Sequence, residues 1–139
     1  MTAFLSILLL TVFAGIAGLH FYWAFGGKKW ENFAVPSYNE VPLFQPHFFE
    51  TVTVAIGFIL FALIISMKAE FLPRMWVSQS ILTSILFGMA AVFLLRAVGE
   101  FKYIGFFKTI RDTPFGRMDT RYYSPLCLFI AILTLIINL

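Results

Sequence analysis

Charge is scarce in this sequence: charged side chains make up 12% of its 139 residues, about half the share usual in a soluble domain, which excludes an ordinary water-facing surface. Cysteine is almost missing, and the single Cys127 rules out an internal disulfide or a cysteine-rich metal site. Histidine is confined to His20 and His47. The formal net charge is only +3 and no block of like charges occurs, so nucleic acid is not an expected partner. Catalytic signatures are also lacking. Gly26-Gly27 and the scattered Gly99, Gly105 and Gly116 make no phosphate-binding fingerprint, and there is no nucleophile elbow or metalloprotease motif.

What is abundant is apolar: hydrophobic residues make up 60% of the chain and the mean hydropathy is +0.89. Four runs, at about 3–25, 49–67, 76–98 and 122–139, are each long enough to cross the ~30 Å of bilayer hydrocarbon as a helix. The first lacks the basic start of a secretory signal peptide and is read as a true span. The second and third flank a short connection, KAEFLPR, and are expected to form a helical hairpin. The fourth opens on Ser124-Pro125, a cap and a first-turn proline. An all-α integral membrane four-helix bundle is therefore expected, as one transmembrane domain over residues 1–139.

Two longer connections, 26–48 and 99–121, share one side of such a bundle. They hold seven cations, Lys28, Lys29, Lys102, Lys108, Arg111, Arg117 and Arg121, against Lys68 and Arg74 on the other side. Positive-inside bias then places both termini outside. In the first connection Pro36, Pro42 and Pro46, with Trp30 and Tyr38, suit a chain lying at the headgroups. In the other, Tyr103, Phe106, Phe107 and Ile110 fall at helical spacing and predict a short interfacial helix between the third and fourth spans. Small residues recur every fourth position at Ser80, Ser84 and Gly88 and at Ala14 and Gly18, where helices are expected to pack closely within the bundle, a homodimer face being the alternative.

Residues able to carry chemistry gather at the same side: His20, Trp23, His47, Glu50, Arg96, Glu100, Asp119 and Tyr123. A charge within hydrocarbon costs ~2.5 to 3.5 kcal/mol on insertion scales, so Arg96 and Glu50 should face protein or a wet cavity. Each also has a plainer role. Arg96 can snorkel or pair with Glu100 four residues on; His20 can make a structural bond between helices; the tryptophans can anchor the interface; Cys127 can simply pack. A haem between His20 and His47 is not expected, because both lie at the rim and no second histidine pair follows. His20, His47 and Glu50 are too few for zinc.

The segments GLHFYWAFGGKKW and LLRAVGEFKYIGFFKTIRDTPFGRMDTRYYSPLCL resemble a bacterial family of small four-span membrane proteins catalogued as a domain of unknown function. The resemblance rests on His20-x-x-Trp23-Ala24-x-Gly26-Gly27, Arg96-x-x-Gly99, Gly105-x-x-Lys108, and Asp119 followed by Tyr123-Ser124-Pro125-Leu126-Cys127. It implies a helical bundle in the bacterial cytoplasmic (inner) membrane and assigns no activity.

The leading expectation is binding of a lipid-like or other amphipathic small molecule in a polar cavity at the charged end of the bundle. Arg96 and His20 would meet its polar part, with Glu50, Glu100 and Asp119 fixing those side chains and Trp23 and Tyr123 packing on its apolar part. The alternatives are a membrane-embedded enzyme acting on a lipophilic substrate, with His20 or Glu50 carrying a proton, and an accessory or assembly subunit of a larger membrane complex. Expected partners are membrane lipids, the ligand, and a second copy or larger membrane protein.

Overall fold

A computed structural model describes all residues, Met1–Leu139. Four helices are long and apolar enough to cross a membrane, as expected of a multi-pass membrane protein: α1 (Thr2–Ala24), α3 (Phe48–Lys68), α4 (Gln79–Val98), and a fourth running from Pro114 to Asn138. The fourth comprises a short α5 (Pro114–Met118), one widened turn over Asp119–Tyr123, and α6 (Ser124–Asn138). The connection between α1 and α3 holds a one-turn helix, α2 (Glu31–Ala34), and a hairpin of β1 (Ser37–Tyr38) and β2 (Val41–Pro42), paired antiparallel. Asn39 and Glu40 form the hairpin's turn, both with positive φ as such two-residue turns require.

The pairing of helices departs from the expected central hairpin. α1 packs mainly on α3 and α4 on α6, while α3 and α4, joined by the short connection, barely touch. Two hairpins closed by the long connections thus make up the bundle. Side-chain size explains the choice, since the small buried residues that allow close approach are Ala17 on α1 and Ala55 on α3, and Ala90 and Ala97 on α4 and Ala131 on α6. By contrast Ala14, Gly18, Ser80, Ser84 and Gly88 face outward, so the expected packing stripes do not lie inside the bundle. Ser84 tolerates this face because its hydroxyl donates to the Ser80 carbonyl at 3.0 Å.

Phenylalanines tie the hairpins together. Phe13 of α1, Phe58 and Phe61 of α3 and Phe93 of α4 all touch one another, with ring centroids 5.6 to 6.1 Å apart. Such contacts add ~0.5 to 1.5 kcal/mol per pair beyond the area they bury. Around them lie Leu9, Ile65, Leu82, Leu86, Met89 and Ile130.

The expected interfacial helix is not formed. Residues 99–113 fold as an irregular loop, because Gly99, Phe101 and Gly105 take positive φ and break the helical path. Helix returns only at Pro114, where the Thr113 hydroxyl accepts from the Gly116 N–H at 2.9 Å. Ser124-Pro125 therefore lies inside the fourth helix and does not begin it. The widened turn precedes Pro125, and there the Ser124 N–H donates to the Asp119 carbonyl five residues back. A proline in a regular helix would clash with the carbonyl four residues before it, and the wider turn is a way to accommodate that conflict.

Candidate functional site

At the end of α1, Gly26 takes φ +94° while the Gly26 and Gly27 N–H groups donate to Trp23 and Tyr22 carbonyls at 3.0 and 2.9 Å. This paired arrangement stops the helix and is the physical content of the Gly26-Gly27 motif. The chain then turns back, and the Trp23 indole N–H holds it by donating to the Lys29 carbonyl at 2.8 Å. One turn earlier His20 Nδ1 lies 2.8 Å from the Ile16 carbonyl. A carbonyl only accepts, so Nδ1 carries the proton and Nε2 is the ring's remaining polar atom. The His20 ring meets Trp23 edge-on, with centroids 5.2 Å apart, and also touches Phe58.

These residues wall an inner cavity of about 220 Å³. His20 and Trp23 form its α1 side, Glu50, Thr51 and Val54 its α3 side, and Glu31, Ala34, Val35, Phe44 and Pro46 its cover. A wider cleft of about 1180 Å³ adjoins it, between the first long connection and residues 109–117, and shares Glu31, Val35, Phe44 and Pro46 with it. The wider cleft is strongly polar, with Lys28, Glu40, His47, Arg111, Asp112 and Arg117 on its walls. So His20, Trp23 and Glu50 do come together, and Glu31 joins them although no motif or spacing pointed to it.

Arg96, Glu100, Asp119 and Tyr123 line neither cavity. Asp119 is the centre of a separate cluster. Its carboxylate, fully buried, accepts from Arg96 Nη2 (2.8 Å), the Gly105 N–H (2.8 Å), Lys108 Nζ (2.9 Å) and the Ser124 hydroxyl (3.1 Å). The widened turn makes the last bond possible, since it brings residues five apart onto one face. Lys108 is buried too, and its ammonium uses all three hydrogens, on Asp119, the Gly105 carbonyl at 2.9 Å and Thr120 Oγ1 at 2.6 Å.

Glu100 does not pair with Arg96; it accepts from the backbone N–H groups of Tyr103 and Ile104 and shapes the loop. Half-buried Tyr123 packs on Phe115, centroids 5.9 Å apart. Lys108, read from the sequence as a topology cation, is the residue whose role was missed. Its motif partner Gly105 was the available signal. The cluster is a structural joint: one carboxylate ties α4, the loop and the fourth helix, while Arg96 Nη1 stays buried without a hydrogen-bond partner.

No curated protein and no solved structure is significantly similar to the chain. A family model does match it, over residues 13–134, a stretch that takes in the inner cavity, the Asp119 cluster and most of all four long helices. The chain belongs to that family, described as Protein of unknown function (DUF3995).

Proposed function

We propose that this protein binds an amphipathic small molecule at one end of its bundle, where the wide cleft and the inner cavity adjoin. The observation that carries this reading is the pair of adjoining cavities. The outer one is ringed by charged and amide side chains; the inner one is narrower and presents Val54, Val35, Ala34 and Phe44 beside His20, Trp23 and Glu50. At about 220 Å³ the inner cavity is smaller than the ~300 to 1,000 Å³ of usual ligand pockets, which suits one chain or small head and not a bulky rigid ligand. Arg96 and Asp119 support the floor of the loop and do not touch the ligand.

Compounds released from protein purified in mild detergent, identified by mass spectrometry, test this. Wild type is expected to retain a chain-bearing compound. Val54→Trp, which fills the cavity without removing any bond, is expected to lose at least about nine-tenths of it. Equal retention by both, or none by wild type, would sink the reading.

The charged side is proposed to face the cytoplasm of a bacterial cell, because seven cations of the long connections lie there. A reporter fused after Leu139 should then be active only as a form that works outside the cytoplasmic membrane. Activity of a cytoplasm-only reporter at that position would reverse the orientation.

A further inference from the structure

We infer that the inner cavity selects a cationic head, a primary or quaternary ammonium carried on an apolar chain; the inference rests on the amphiphile-binding reading above and adds the charge of the ligand to it. Every side-chain donor on the cavity wall is already used by the protein itself. His20 Nδ1 is committed to the Ile16 carbonyl, the Trp23 N–H to the Lys29 carbonyl, and the Thr51 hydroxyl to the His47 carbonyl at 2.9 Å. What remains is the two acceptor carboxylates of Glu31 and Glu50, His20 Nε2, and the π system of Trp23.

Neither carboxylate is in an ion pair, although two of the chain's three ion pairs lie at this end of the bundle. No Lys or Arg lines the inner cavity. Arg96 and Lys108 are held in the Asp119 cluster, and Arg111 donates to the Lys108 and Phe106 carbonyls. Lys28 and Arg117 line only the wider cleft and pair with neither Glu31 nor Glu50. Glu31 is half-buried and Glu50 exposed at the cavity mouth, and the protein supplies neither with a counter-charge. An ammonium would supply it, and Trp23 adds the attraction of an aromatic face for a cation. In the inner cavity an anionic head would meet like charge and no Lys or Arg.

The test uses the whole protein with Trp30 and Trp76 changed to Phe, so that Trp23 alone reports, in nanodiscs of an uncharged glycolipid that carries no ammonium. Dodecylamine, dodecyltrimethylammonium, dodecanol and dodecyl phosphate are titrated below their micelle concentrations. Both ammonium probes are expected to bind at least about tenfold more tightly than the alcohol and the phosphate, the scale of one charge-assisted contact. That preference should vanish in Glu31→Gln/Glu50→Gln, isosteric changes at side chains that make no hydrogen bond in the folded protein. If the alcohol or phosphate binds as tightly and Val54→Trp still blocks it, the charge inference falls while the amphiphile reading stands. If no probe binds in a way that Val54→Trp blocks, both fall. Compounds retained from native membranes separate the sources: an aminolipid or a free lipophilic amine supports the inference, and a purely anionic lipid overturns it.

Discussion

Asp119→Asn is expected to remove about 3 to 5 kcal/mol of stability, the usual cost of leaving one partner of a buried ion pair without the other. Asp119 accepts four hydrogen bonds and donates none. An amide in its place must point an NH2 group at one of four donors, and it withdraws the charge that balances buried Lys108. Against the ~5 to 15 kcal/mol that holds a typical domain folded, the loss is large. Unfolding followed by tryptophan fluorescence in micelles should show it as a much lower midpoint and a smaller monodisperse fraction. Lys108→Met should cost less, because Asp119 keeps Arg96, the Gly105 N–H and Ser124. The double variant separates this account from simple loss of contacts. With the unpaired ammonium gone, Asp119→Asn/Lys108→Met is expected to be more stable than Asp119→Asn alone. Additive losses, or a wild-type midpoint for Asp119→Asn, would show that the cluster is not the joint described.

Why the sequence foretold the spans but not this joint follows from the range of the forces involved. Burial in lipid acts on every residue of a run, so hydropathy finds all four helices and locates the first three to within a few residues. The start of the fourth was hidden because its first turns, PFGRMDTRYY, are polar and amphipathic. Their helical state depends on Thr113 as a cap and on Asp119 drawing in partners from elsewhere. Those partners lie 11 and 23 residues away, Lys108 and Arg96, and nothing local says which of ten cations turns inward. The spacing of Tyr103, Phe106, Phe107 and Ile110 fitted a helix, yet Gly99 and Gly105 flank or interrupt it with positive φ. His20, Trp23 and Glu50 were legible as one group because all three stand within about one turn of a helix end on the same side. Glu31 was not, since its place depends on the turn-back of the chain after Gly26-Gly27.

Gly99→Ala and Gly105→Ala should each be about as damaging as the loss of Asp119, and for a reason confined to the backbone. Gly99 has φ 87° and ψ −173°, a region reserved for glycine that costs a side-chain-bearing residue of order 1 to 3 kcal/mol. Space is a second obstacle. A Cβ on Gly99 would stand 1.8 Å from the Ile104 carbonyl oxygen, and one on Gly105 would stand 2.3 Å from that of Val98. Each glycine blocks the other's Cβ with its own Cα, at 2.6 and 2.4 Å. Because the obstacles are main chain, no rotamer change relieves them, and residues 104–105 must move away from the end of α4. That movement carries off the Gly105 N–H given to Asp119 and the Gly105 carbonyl that receives Lys108. Gly88→Ala is the control, with nothing within 4 Å of its Cβ on an outward helix face, and it is expected to be neutral or slightly stabilising. The close approach and the carboxylate joint are one device, so adding Gly99→Ala to Asp119→Asn should cost clearly less than the two separate losses combined. A midpoint for Gly99→Ala equal to that of Gly88→Ala, or full additivity with Asp119→Asn, would separate the glycine contact from the buried charges that it positions.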